Sequence, residues 1–149
     1  MRNLWLVAGG VMSGCASLLH VGVILGGPDW YRFFGAGEEL AQAAERGSPM
    51  PALVTTAIAL ILAIWAAYAF SGAGLLRRLP LMRTALVVIT GIYLLRGLAL
   101  VPWLAFRPEF VNAFAVVSSL IVLAYGITYA VGTSRAWPSL RAPHGVQRR

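Results

Sequence analysis

Four long apolar runs dominate the chain: Leu4 to Leu25, Ala52 to Phe70, Ala85 to Phe106 and Phe110 to Val131. A helix needs about 20 mostly apolar residues to cross ~30 Å of hydrocarbon, and only helices and closed barrels satisfy their own backbone groups in lipid. The runs therefore predict an all-α integral membrane four-helix bundle with four transmembrane helices. Charged residues make up 11% of the 149, against about 25% in a soluble domain. Residues 1–133 form one four-span domain, and residues 134–149, with Pro138, Pro143 and terminal arginines, a polar cytoplasmic tail expected to be disordered. No length is left for a soluble catalytic domain.

The stretch Val11-Met12-Ser13-Gly14-Cys15 loosely resembles a lipoprotein processing site. A cleaved signal is followed by a polar mature chain, whereas Ala16 to Leu25 continues the apolar run. Leu4 to Leu25 thus reads as one span, with Cys15 an ordinary buried helix residue. As the single cysteine, it can build neither an intrachain disulfide nor a cysteine metal cluster.

All twelve basic residues are arginine, which with the alanine and glycine content points to a GC-rich bacterial genome. With the amino end inside, the cytoplasmic side holds Arg2, Arg77, Arg78, Arg83, Arg135, Arg141, Arg148 and Arg149, and the outer side only Arg32, Arg46 and Arg107. Eight against three is a positive-inside bias. It predicts an N-in, C-in protein of the bacterial inner (cytoplasmic) membrane, multi-pass, and places residues 27 to 50 outside. The net charge of +7 then reflects topology and headgroup contacts rather than nucleic acid. Within the outer loop, Trp30-Tyr31-Arg32-Phe33-Phe34 has an interface-anchor composition, and Glu38 to Arg46 is expected to be a short extra-membrane helix.

Arg96 is the only formal charge inside a span. Placing it there costs ~2.5 to 3.5 kcal/mol on insertion scales unless partners or water are found, which makes it a functional-site hypothesis by default. His20 and Arg96 lie at depths of roughly 9 and 13 Å from the outer ends of their spans at 1.5 Å per residue. Tyr93 and Trp103 share the Arg96 face, Asn112 opens the fourth span, and no span contains Asp or Glu. An anionic partner must therefore be Asp29, Glu38 or another first-loop carboxylate, or else a ligand. The expected ligand-binding set is Arg96, His20, Tyr93, Asn112, Asp29 and Glu38, beneath the first loop. No metal is expected, because His20 has no second nitrogen or sulfur ligand at helical spacing, and no cofactor motif is present.

On the first span, Gly10, Ser13, Ser17 and His20 share one face, and small residues let membrane helices approach closely. On the fourth, Ser118, Tyr125 and Tyr129 form a stripe, which Trp65 and Tyr68 would complete. The expected partners are membrane lipids and other membrane proteins or further copies of the chain. The leading expectation is an accessory or structural membrane subunit without catalytic activity. The alternative is a binding or transport protein with an outward-facing pocket centred on Arg96 for an anionic or amphiphilic molecule. An enzyme using His20 as acid or base would lack a second catalytic group in the spans.

Overall fold

The computed structural model describes residues 2–141, and these are all-helical. In chain order the helices are α1 (Leu4–Gly26), α2 (Pro28–Phe33), α3 (Glu38–Glu45), α4 (Met50–Gly72), α5 (Met82–Leu98), α6 (Leu100–Phe106) and α7 (Ala113–Ala136), with 3-10 turns at Pro108–Phe110 and Ser139–Arg141. Leu4–Gly26, Met50–Gly72, Met82–Phe106 and Ala113–Ala136 are long and apolar enough to span a membrane. Their outer surface stays apolar, with Leu18 72% and Leu95 73% exposed. A soluble monomer rarely exposes contiguous apolar surface on that scale.

Each span differs from its expected bounds by a few residues. The largest difference is at the end of α7, which runs to Ala136 and is followed by the Ser139–Arg141 turn. The first residues of the expected tail are therefore helical; residues 142–149 lie outside the described part of the chain. The third span is broken between α5 and α6. Pro102 has no N–H to donate to the Leu98 carbonyl, and its ring crowds that carbonyl. The break falls one turn before it, at Ala99.

The four long helices pack as two pairs, α1 with α4 and α5 with α7, joined where α1 meets α7. Small residues set both junctions. A Cβ on Gly9 would lie 2.8 Å from the Tyr129 ring, and one on Gly132 would lie 2.8 Å from the Leu6 side chain. Between α5 and α7 the contact reaches backbone: a Cβ on Gly97 would lie 2.7 Å from Leu123 Cα, and one on Gly126 would lie 2.9 Å from Leu94 N. Asn3 ties the two ends of the chain, its side-chain carbonyl accepting from Leu6 N (3.3 Å) while Nδ2 donates to the Gly132 carbonyl (2.7 Å). Ser71, at the end of α4, holds the second loop by donating to the Arg77 carbonyl (2.8 Å) and accepting from Leu79 N (3.1 Å).

The core is a ring of hydroxyls and aromatics at the junction of the two pairs. Ser13 Oγ lies 2.8 Å from both the Tyr93 and Tyr129 hydroxyls, and Tyr129 also donates to the Trp65 carbonyl (3.2 Å). Trp65 and Tyr125 pack edge-on against Tyr93. The expected Tyr125 and Tyr129 stripe thus meets Trp65 and Tyr68 in one core. Ser118 stands apart, bonded to the Ala115 carbonyl of its own helix. Cys15 is exposed, contrary to the burial expected of it, because α1 turns its Ser13 face inward and Cys15 lies about 200° away at 100° per residue.

Candidate functional site

Arg96 closes the last turn of α5 and lines a cleft of about 540 Å³ between the α5–α6 segment and α7. Ala99, Leu100, Val111 and Ala115 form its apolar walls, Trp103 and Arg107 stand toward α6, and Ser119 faces Arg96 from α7. The guanidinium donates through Nη1 to Ser119 Oγ at 3.3 Å. Arg96 forms no ion pair among the described residues. Arg107 is paired with Glu109, Nε to Oε1, at 2.9 Å.

The cleft lies where the chain passes from α5, packed closely on α7 at Gly97 and Gly126, through the break at Ala99 into α6, which touches α7 far less. Arg107 and Trp103 reach the same cleft because eleven and seven residues are about three and two turns from Arg96. An open, largely apolar cleft with guanidinium groups can hold an anionic head while its walls contact a hydrocarbon tail.

The six residues expected to form one pocket are divided among five places. Only Arg96 lines the cleft. Tyr93 is buried in the hydroxyl core, three residues and about 60° around the helix from Arg96. His20 lies on α1, where Nδ1 donates to the Ala16 carbonyl of its own helix at 2.7 Å. Asn112 caps α7, accepting from Ala115 N at 2.8 Å. Asp29 and Glu38 remain in the first loop, both on Arg32: Glu38 accepts from Nε (3.0 Å) and Nη2 (2.9 Å), and Asp29 lies 3.5 Å from Nη1. Glu45 joins the same guanidinium at 2.8 Å.

The Arg32 cluster fastens α2 to α3 over a small core of Val23, Tyr31 and Ala41. Hydrogen bonds from Arg32 hold the Glu38 carboxyl below the usual carboxylate range, and the Glu38 and Glu45 bonds raise Arg32 in turn. The loop reaches α7 at Gly35, whose φ is +68 and whose added Cβ would meet the Phe114 ring at 2.4 Å. Ser119 and Arg107 are the cleft residues that sequence reasoning missed. Arg107 carried the helical spacing that could have shown it, whereas nothing distinguished Ser119 from Ser118 beside it.

Among the described residues, no group of three or more His, Cys, Asp or Glu could hold a metal ion. No family model, curated protein or solved structure matches the chain.

Proposed function

We propose that this chain is a binding or transport protein of the bacterial inner membrane that takes an amphiphilic anion, a carboxylate or phosphate head on an apolar tail, into the Arg96 cleft from the side. In this reading the protein sits N-in and C-in, as the arginine distribution predicts, and the cleft opens in the outer half of the bilayer. The observation that carries the reading is that Arg96 faces an open apolar cleft with one hydroxyl contact. Four of the five carboxylates are engaged elsewhere, three on Arg32 and one on Arg107. An arginine at membrane depth needs an anion or water to offset its desolvation, and a ligand from the bilayer supplies one.

A glycine face of α1 left exposed would favour the accessory-subunit reading. Of Gly10, Gly14, Gly22 and Gly26, the small-residue pairs of this helix, Gly10 instead lies against Phe70 and Gly22 and Gly26 against Trp30 of the same chain, while Gly14 meets nothing within 4 Å.

Native mass spectrometry of the protein in nanodiscs, with Arg96→Lys and Arg96→Ala beside it, tests the proposal. The wild type retains an anionic amphiphile, Arg96→Lys holds it weakly and Arg96→Ala loses it. Equal retention by Arg96→Ala and wild type would sink the reading.

A further inference from the structure

A second cleft lies between the same two helices, on the other side of the Gly97 and Gly126 contact from the Arg96 cleft. From the contact at Gly97 and Gly126, α5 and α7 stay paired to the start of α5 and the end of α7, where Arg83 rests on Trp137. There Val87 and Thr90 of α5 face Ala130, Thr133, Ser134 and Trp137 across a space of about 460 Å³. We infer that this second cleft is a site for an anionic phospholipid of the leaflet at the arginine-rich end, with its phosphate at Arg83 and Trp137 and an acyl chain between α5 and α7.

Charge identifies the occupant. Arg77, Arg78, Arg83 and Arg135 gather at this end, where Met82, Leu6 and Ala136 share one core. Among the described residues all five carboxylates are in the first loop or at Glu109. Arg83 is set at the lip of the cleft: its guanidinium lies 4.4 Å from the Trp137 ring centroid, and Nη2 donates to the Trp137 carbonyl at 2.8 Å. An arginine stacked on an interfacial tryptophan presents a fixed donor edge at headgroup level.

The walls follow the polarity of a lipid from head to tail. Trp137 lies just past the end of α7, and Thr90 about 12 Å inside the start of α5 at 1.5 Å per residue. Val87 and Ala130 supply apolar surface between them. Thr90 and Ser134 each donate to a carbonyl of their own helix, at 2.6 and 2.8 Å. Thr133 is 6% exposed, and its hydroxyl has no hydrogen-bond partner. Thr133 lines the cleft, and with two χ1 rotamers open to a helical threonine its unpartnered hydroxyl is the group a lipid ester carbonyl would satisfy. The site stands independently of the Arg96 proposal, since the two clefts lie on opposite sides of the helix crossing.

The test uses the full chain in phosphatidylcholine nanodiscs doped with phosphatidylglycerol, released for native mass spectrometry, with a headgroup-photoreactive phosphatidylglycerol to map the contact. Phosphatidylglycerol is retained over phosphatidylcholine, and the label falls on the 133–137 segment. Arg83→Gln lowers retention roughly fivefold, the factor for about 1 kcal/mol from one arginine at an anionic surface. Thr133→Val, which leaves the fold intact, lowers it in the same direction, while Arg96→Gln leaves the 133–137 label unchanged. Labelling confined to the Arg96 cleft, equal retention of both lipids, or wild-type retention in Thr133→Val would each overturn the inference.

Discussion

Replacing Gly97 with alanine probes the backbone contact of α5 with α7 that lies between the two clefts. A Cβ there would lie 2.7 Å from Leu123 Cα and 2.8 Å from Leu123 N. Both are backbone atoms that no rotamer change can move. Regaining an ordinary 3.4 Å contact requires α5 and α7 to part by about 0.7 Å, and strain of this kind costs about 1–3 kcal/mol. Alanine returns about 0.5–1 kcal/mol in helix propensity, leaving a net loss of roughly 1–2 kcal/mol. At about 2–4 °C per kcal/mol for a chain of this size, Gly97→Ala should melt several degrees lower in detergent, followed by tryptophan fluorescence. Gly91→Ala, on the same helix, meets nothing within 4 Å and should melt at or above the wild type. The Arg96–Ser119 bond at 3.3 Å has little slack for the separation, so Gly97→Ala should also retain less ligand in the Arg96 cleft. The reasoning fails if Gly97→Ala and Gly91→Ala melt together.

Ser13→Ala takes the shared partner from the Tyr93 and Tyr129 hydroxyls and should cost about 1–3 kcal/mol in denaturant unfolding; a double-mutant cycle with Tyr93→Phe should be less than additive. The depressed Glu38 carboxyl stabilises the α2–α3 cap above the ordinary carboxylate pKa, and this contribution is lost as pH falls through the lower folded value. Protease susceptibility of residues 28–47 should therefore rise on acidification in the wild type and be high at every pH in Arg32→Gln, with the spans protected in both. Arg96→Leu removes the charge that costs ~2.5–3.5 kcal/mol on insertion scales. It should insert and melt at least as well as the wild type while losing the ligand, a split that a purely structural Arg96 would not give.

The spans were legible because a lipid-crossing helix must be apolar all round, and that signal needs no knowledge of neighbours. Arg96 was legible for the same reason, as a charge where none is expected. Its surroundings were not. A shared face at three-residue spacing leaves about 60° between Tyr93 and Arg96, enough to place one in the core and the other at its rim. The carboxylates of the first loop could have closed on either arginine, and Arg32 took them because it lies three, six and thirteen residues from Asp29, Glu38 and Glu45, where loop closure is least costly. The crossing at Gly97 and Gly126 depends on which helices meet and at what height, which neither glycine announces by itself. Ala85 to Phe106 reads as one span, and the break at Ala99 was not legible in it although Pro102 one turn later removes a helical hydrogen bond. The seven-residue continuation as α6 lines the cleft through Leu100 and Trp103.

The central position of α1 bears on how the bundle assembles. This helix precedes the other three spans in the chain, yet Asn3 is bonded to Gly132 across 129 residues, and Ser13 and Gly9 are completed by Tyr129 of α7. Without α7, the Ser13 hydroxyl and the groove at Gly9 would lack the Tyr129 side chain that fills them. The polar and glycine positions of α1 are thus satisfied by a helix more than a hundred residues further along the chain, so α1 and α7 reach their native packing together.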